Sequence, residues 1–342
     1  MSESTLSESR TFDRRLEFFD DNVRPGIVQS AFNHSPIAWI YFGRGLDEMF
    51  GTERMSGRGL KMEAGGNSIQ VKHNLGKNTT AKWLTGPWDT VDPTPSDTVR
   101  HSRAERKHGS ATVTISEEDR LLNRSSEEAT ADLINFEYTN AISSLADLAA
   151  AALYEGDGVT QFTGLQTLVS AGDTVQSLAG GTYPNWNSRG LSARGTAAAS
   201  VSFAGGSFAT TGFNNWHRTY LNASEGVIKP EVLLTTYDIF RFFHNSLQSQ
   251  ERFQNTNTAS GGFESLAFLN RPVIPDDKCP SGETHFLNFT FSYFSALPGA
   301  FFDTLPFEMS SDQEARTSKI MLKGNQVVSA RKFLNKTISQ TA

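Results

Sequence analysis

The stretch "SSEEATADLINFEYTNAISSLADLAAAALYEGDG", residues Ser125–Gly158, decides the fold because it predicts one long helix. Ser125 and Glu128 have the spacing of a capping box, in which a hydroxyl and a carboxylate satisfy free backbone N–H groups, and Gly156 supplies the end. Between these signals an apolar residue recurs every three or four positions, at Ile134, Tyr138, Ala141, Leu145, Leu148 and Ala152. At 1.5 Å per residue such a helix is about 45 Å long, so the stretch predicts a spine that packs along a core.

The composition limits the class of protein. The 342 residues exceed the size at which a single hydrophobic core stops growing, so two lobes are expected. A formal net charge of −6 argues against a protein whose main task is to grip nucleic acid, although a local basic patch stays open. The single cysteine excludes an internal disulfide and a paired-cysteine zinc or redox motif. Because no segment has the apolar length of a signal peptide or a membrane span, the sequence predicts a soluble chain made in the cytoplasm, with no membrane partner.

Two extended segments precede the spine. Residues 1–58 predict an extended N-terminal arm, in which "NHSPIAWIYF", residues 33–42, is the one dense apolar cluster. Residues 59–122 predict a long hairpin. Its arms are the alternating segments "IQVKHNL", residues 69–75, and "SATVTI", residues 110–115, which flank a polar stretch that is too long for a compact domain to hold without its own core. The candidate inter-subunit contacts lie on this hairpin: Trp83, Trp88, Arg100, Arg103 and Arg106. Exposed indoles on a projecting loop indicate docking to a partner, and the alternative is that they pack on their own subunit.

Weaker signals follow the spine. Residues 156–226 are rich in Gly, Ala, Ser and Thr and predict irregular loops and short strands. A short strand at Val232–Leu234 then leads into a second predicted helix, capped by Thr235 and Asp238. The apolar stripe of that helix is Ile239, Phe243 and Leu247.

The C-terminal third predicts strands joined by turns. Pro272 and Pro275 exclude a central ladder position for their strand. The alternating "HFLNFTFSYF", residues 285–294, predicts one strand. Residues Gly324 and Asn325 predict the turn of a closing hairpin.

The segment "DDKCPSGETH", residues 276–285, carries the residue types of a metal or nucleophile site. One cysteine and one histidine are a poor start for a closed zinc site, and adjacent aspartates on an extended chain point to opposite sides. A hydrolase that uses Asp276, Cys279 and His285 is the remaining enzymatic hypothesis. The composition favours a solvent-facing turn, so we expect no catalytic residue, metal or cofactor here.

The order of these parts resembles the major capsid proteins of tailed bacteriophages, which have the Hong Kong 97-type fold. The resemblance rests on residues 113–158, on "PEVLLTTYDIFRFFHNSLQSQERF" and on "LAFLNRPVIPDDKCPSGETHFLN". It implies an α+β fold with an N-terminal arm (1–58), an extended hairpin loop (59–122), a peripheral domain with a spine helix (123–160 and 306–342) and an axial domain (161–305). None of these stretches is a catalytic motif, so an enzyme is not expected.

The resemblance also implies function and partners. The chain would assemble with itself into pentamers and hexamers that form an icosahedral shell around packaged double-stranded DNA, which it would contact weakly and without sequence specificity. A portal protein, a separate scaffolding protein and a cement or decoration protein are the implied partners, and the virion is the implied location after assembly in the host cytoplasm. An encapsulin-like compartment, which uses the same fold to enclose an enzyme, is the alternative.

Overall fold

The structure is a computed structural model that describes residues 35–42, 59–118 except 77, 79, 96 and 97, 127–191, 203–247, 266–309 and 314–341. Its helices are α1 (Pro36–Phe42), α2 (Glu127–Glu155), α3 (Leu165–Leu168), α4 (Phe213–Ala223) and α5 (Tyr237–Leu247). Among these described residues, no helix has the length and apolar character needed to cross a membrane. The predicted cap residue Ser125 and most of the N-terminal arm lie outside the described residues.

Two larger sheets organise the strands. The five-stranded sheet contains β1 (Leu60–Met62), β4 (Lys107–Ser116), β12 (Ser292–Thr304), β13 (Glu308–Met309) and β14 (Ala315–Val328). The six-stranded sheet runs in the order β7 (Ala204–Ser207), β15 (Asn335–Thr341), β11 (Thr284–Leu287), β8 (Val232–Thr235), β10 (Arg271–Pro275) and β9 (Leu266–Phe268). Two small sheets pair β2 (Ser68–Asn74) with β3 (Val99–Glu105), and β5 (Thr174–Val175) with β6 (Leu178–Ala179).

Helix α2 confirms the predicted spine and packs on the five-stranded sheet. Its buried side chains include Ile134, Tyr138, Ile142, Leu145, Ala149 and Leu153. The predicted stripe is wrong at Leu148, which is 57% exposed, because the buried face follows the turn through Ala149 instead. The helix ends at Gly156, where a Cβ would lie 2.0 Å from the carbonyl oxygen of Phe162, so only glycine fits this close approach.

Helix α1 corrects the prediction of an extended arm for residues 36–42. All seven residues of "PIAWIYF" are buried, and the helix packs on α2 and β12 of its own chain. The ring of Phe42 meets that of Phe294 edge-on at 4.9 Å, and Tyr41 meets Phe289 at 5.4 Å. The apolar cluster is therefore part of the main core.

A second core lies under the six-stranded sheet, where α4 and α5 pack. Helix α4 corrects the prediction of irregular loops and short strands for residues 156–226. Its buried face has the three- and four-residue spacing of a helix and consists of Trp216, Thr219, Tyr220 and Ala223. The sequence analysis missed this spacing because the neighbouring residues are Asn, His and Thr, which have low helix propensity. Helix α5 is confirmed, with Ile239 and Phe243 buried.

The predicted cap of α5 is displaced by one residue. The hydroxyl of Thr236 accepts the hydrogen bond from the N–H of Ile239 at 3.4 Å. Thr235 belongs instead to β8, and its hydroxyl lies 2.9 Å from that of Thr284 on the neighbouring strand. Thr236 therefore takes the capping role that the sequence analysis gave to Thr235.

Three predictions for the C-terminal strands are also wrong. Strand β10 lies between β8 and β9 rather than at an edge. Its prolines allow this position because Pro272 pairs only with β9 and Pro275 only with β8, so neither proline has to bond to strands on both sides. The segment 285–294 belongs to two strands in different sheets, separated where Asn288 accepts the N–H of Thr290. Strand β14 runs straight through Gly324, so no hairpin turns there.

Gly324 has a different reason to be glycine. A Cβ at this position would lie 2.5 Å from the backbone oxygen of Ser295 and 2.5 Å from the ring of Phe294. The residue therefore serves a close approach between β14 and β12 rather than a turn.

The predicted domain boundary at residues 305 and 306 does not coincide with the sheets. Strand β12, residues 292–304, lies in the five-stranded sheet, and β15, residues 335–341, lies in the six-stranded sheet. Each of these two strands therefore lies in a different sheet from most strands of its predicted domain. The division into domains stays a prediction.

Candidate inter-subunit hairpin

Strands β2 and β3 form a hairpin and pair along their whole length, from Ser68 opposite Glu105 to Asn74 opposite Val99. The predicted second arm is wrong: residues 110–115 belong to β4 and pair with β14, so the hairpin closes earlier in the chain. On one face Ile69 and Ala104 are buried against Tyr293 and Val327 of the five-stranded sheet. The base of the hairpin is thus fixed to the body by apolar packing.

Polar contacts hold the hairpin against the segment that contains β5 and β6. The N–H of Arg103 donates to the carbonyl oxygen of Gln176 at 2.8 Å. The guanidinium of Arg100 donates to the hydroxyl of Tyr183 at 3.0 Å, and the amide of Asn185 donates to the carbonyl oxygen of Leu75 at 2.9 Å. The last of these contacts marks the end of the fixed base.

The described residues 76, 78, 80–95 and 98 form the tip beyond this base, and local turns shape it. The N–H of Asp89 donates to the carbonyl oxygen of Gly86 at 3.2 Å, which closes a turn with Pro87 and Trp88 in its middle. The carboxylate of Asp89 accepts from the N–H of Thr85 at 3.2 Å and from Lys82 at 3.3 Å. These hydrogen bonds, of which the one from Thr85 has the largest effect, lower the pKa of Asp89 and keep its carboxylate charged at neutral pH.

The two indoles of the tip face solvent. Trp83 is 98% exposed and Trp88 is 94% exposed. Val91 and Leu84 beside them are also exposed, so the tip carries a run of apolar surface without a core of its own. The alternative was that the indoles pack on their own subunit, and in the described part of the chain neither indole does so.

The three predicted arginines have different surroundings. Arg103 is exposed on β3, and Arg100 is half-buried against Tyr183. Arg106 is buried, and its guanidinium donates to the carbonyl oxygens of Glu63 at 2.8 Å and Gly66 at 3.2 Å. Arg106 therefore fixes the base of the hairpin within its own chain, and contacts of all five predicted residues with a neighbour stay a prediction.

The turn that follows β10 is not solvent-facing, which corrects the sequence analysis. Asp276 is 0% exposed, and its carboxylate accepts from the N–H of Ile37 at 2.9 Å, from the N–H of Lys278 at 3.0 Å and from the hydroxyl of Tyr154 at 3.1 Å. Asp277 beside it is exposed. Burial raises the pKa of Asp276, while the three hydrogen bonds oppose the rise. The carboxylate thus caps α1 and ties it to the spine helix.

The same turn keeps its cysteine away from solvent, and the histidine that follows is buried as well. Cys279 is buried, and burial together with the nearby carboxylate of Asp276 raises the pKa of its thiol, so the reactive thiolate is disfavoured. His285 lies on β11, fully buried, with Nε2 3.0 Å from Glu283. Within the described part of the chain, no three His, Cys, Asp or Glu residues are grouped so that they could hold a metal ion.

Comparisons with solved structures identify the fold. The capsid asymmetric unit of cyanophage A-1(L) matches with a TM-score of 0.58 and 12% identity, over 83% of this chain and 91% of that one. The capsid of the native GTA particle matches with a TM-score of 0.53 and 16% identity, over 83% and 88%. The holo-SrpI encapsulin complex from Synechococcus elongatus PCC 7942 matches with a TM-score of 0.50 and 10% identity, over 82% and 84%. No protein-family model and no curated sequence matches the chain.

These matches cover most of the chain and of each neighbour, so the arrangement of helices and sheets described above is the fold of these solved structures. The chain has the Hong Kong 97-type α+β fold that the sequence predicted.

Proposed function

We propose that this chain is the major capsid protein of a tailed bacteriophage. It assembles with itself into pentamers and hexamers that form an icosahedral shell around packaged double-stranded DNA. The shared fold supports a shell subunit. The observation that carries the proposal within this chain is the exposure of Trp83 and Trp88 at the tip of a hairpin whose base is fixed.

The energetics of the tip favour a neighbouring copy as its partner. Each indole offers roughly 150–250 Å² of surface, and its burial contributes about 4–6 kcal/mol before the cost of ordering the loop. Closed shells repeat one such contact at every subunit. A modest gain per contact, of about 2–4 kcal/mol at an aromatic anchor, therefore suffices for assembly.

The other partners follow from the task of a shell. A portal protein, a separate scaffolding protein and a cement or decoration protein are proposed, and the virion is the proposed location after assembly in the host cytoplasm. The net charge of −6 suits a container that contacts DNA weakly and without sequence specificity, because walls that held phosphate strongly would hinder packing.

An encapsulin-like compartment is the second candidate, favoured by the likeness to the encapsulin shell. Both candidates predict a closed shell of many copies, so the contents decide between them. Nuclease-protected DNA inside particles from infected cells supports the capsid, and an enclosed enzyme supports the compartment.

The experiment that tests the proposal compares single alanine variants by negative-stain microscopy of the protein expressed with its scaffold. We expect Trp83→Ala, Trp88→Ala or both to prevent closed shells while circular dichroism and melting stay as in the wild type. Val227→Ala is the matched control, because Val227 is 96% exposed in a turn far along the chain. Shells of normal size and heat resistance from both tryptophan variants would contradict the proposal.

A further inference from the structure

His73 lies on β2 at the base of the hairpin, and its ring is buried between the hairpin and the body. Its Nδ1 is 2.8 Å from the carbonyl oxygen of Ser329, and its Nε2 is 2.6 Å from the hydroxyl of Ser102. A carbonyl oxygen can only accept, so Nδ1 carries the proton and donates to Ser329. Nε2 therefore accepts from the hydroxyl of Ser102.

The hydrogen bonds continue from Ser102 to the end of β14. The side-chain amide of Gln176 donates from its nitrogen to Ser102 at 3.3 Å and to the carbonyl oxygen of Val328 at 3.0 Å. Its oxygen accepts from the N–H of Val328 at 2.8 Å. These five residues, His73, Ser102, Gln176, Val328 and Ser329, form what we call the His73 chain, in which the donor or acceptor role of each side-chain atom is fixed by its neighbour.

We propose that the His73 chain is a proton-operated latch, which holds the base of the hairpin to the body while His73 is neutral and releases it when Nε2 gains a proton. A proton on Nε2 turns the acceptor of Ser102 into a second donor. The hydroxyl oxygen of Ser102 then faces two donors, the imidazole of His73 and the amide nitrogen of Gln176, while the hydroxyl proton no longer has an acceptor. Gln176 can offer its oxygen to that proton only by rotating its amide, which breaks both hydrogen bonds to Val328.

The surroundings of His73 oppose an added proton. Its ring packs 4.5 Å from that of Trp186, whose indole also stacks with a guanidinium at 5.6 Å. The elements around it also carry charged and titratable groups: Lys72 on β2, Arg100, His101, Arg103 and Glu105 on β3, and Arg331, on which Asp173 acts. Burial is the largest effect and lowers the pKa of His73. The hydrogen bond to Ser329 raises this pKa, the charge of His101 lowers it, and on balance the pKa is lowered.

The sign of the pH effect follows from this balance. The closed base favours neutral His73, whereas an open base returns the imidazole to its ordinary pKa of about 6.5. The latch therefore holds fully above about pH 6.5 and weakens as the pH falls below that value. One linked proton changes the opening equilibrium by up to about tenfold per pH unit.

Hydrogen exchange of the full-length, unassembled subunit tests the latch. With intrinsic exchange rates divided out, amides of β2 and β3 should exchange faster at pH 5.5 than at pH 7.5 in the wild type, by up to about tenfold. His73→Gln should abolish this difference, because glutamine can keep a donor and an acceptor but cannot gain a proton. His108→Gln, a variant of an exposed histidine on β4, should keep it. A wild type without the pH difference, or a His73→Gln variant that keeps it, would overturn the latch.

A second measurement serves if His73→Gln does not fold. The imidazole resonances of the wild type report protonation of each histidine by nuclear magnetic resonance. We expect the resonance of His73 to titrate together with the opening of the hairpin amides, and opening while His73 stays neutral would overturn the latch. An effect of the latch on assembly rests on the proposed function, whereas both tests read the isolated subunit, so the two can fail separately.

Discussion

The hydroxyl of Tyr154, near the end of the spine helix α2, donates a hydrogen bond of 3.1 Å to Oδ2 of Asp276 in the turn after β10. The same oxygen accepts the N–H of Ile37 at the start of α1. A single buried carboxylate therefore joins the arm helix, the spine and the end of a strand in the six-stranded sheet. Such a group is expected to matter for stability, because three donors, two of them on buried residues, lose their acceptor without it.

Asp276→Asn should lower the free energy of unfolding by about 2–3 kcal/mol. Oδ1 accepts from the N–H of Lys278 and Oδ2 from that of Ile37, so either orientation of an asparagine amide places its NH₂ against a donor. Urea unfolding followed by circular dichroism measures the change. Asp277→Asn is the control, since this neighbour is exposed and should change stability by no more than about 0.5 kcal/mol. Equal stabilities of the two variants would refute the role given to Asp276.

Leu145→Asp should abolish soluble protein, because it places a carboxylate without a partner between α2 and the five-stranded sheet. Leu148→Asp, three residues along the same helix, should give normal yield and cooperative melting, since Leu148 is 57% exposed. The measurement is the yield of soluble protein when the two variants are expressed in parallel. If both variants were insoluble, or both soluble, the buried face of α2 would differ from that described.

Gly324→Ala should destabilise the chain by about 1–3 kcal/mol through overpacking, because its Cβ would press on the backbone of Ser295. Gly181→Ala is the control, since no atom lies within 4 Å of a Cβ there. Thermal melting compares the two. A Gly324→Ala variant as stable as the control would mean that β12 and β14 are not packed so closely.

Replacing residues 80–95 by a short Gly/Ser linker should leave the melting temperature of the subunit within about 2 °C of the wild type. These residues lie beyond the contact of Asn185 with Leu75, so their removal takes no side chain from the core. Arg106→Ala at the base should instead lower the melting temperature, because the buried Arg106 side chain and its hydrogen bonds to the carbonyl oxygens of Glu63 and Gly66 are lost. A shortened tip that unfolds the subunit would show that the tip packs within its own chain.

Local patterns in the sequence predicted the long elements. The three- and four-residue apolar spacing of α2 and the alternation along β2 are properties of neighbouring residues, so they can be read without the fold. The same spacing could not tell Ala149 from Leu148, because the width of the buried face depends on α1 and the sheet that cover it.

Long-range contacts explain what the sequence did not reveal. The composition "DDKCPSG" suits a turn whether it faces solvent or core, and the donor that makes Asp276 a buried cap lies 239 residues away at Ile37. Gly324 followed by asparagine has the composition of a turn, yet the reason for its glycine is the strand beside it. The roles of such residues are set by packing between distant segments.

The most direct test of the central claim is a high-resolution electron cryomicroscopy map of particles assembled from this chain. The account predicts closed icosahedral shells of pentamers and hexamers in which Trp83 or Trp88 is buried against a neighbouring copy. A chain that stays a monomer of 37.6 kDa in the presence of its scaffold, or shells in which both indoles remain in solvent, would contradict it.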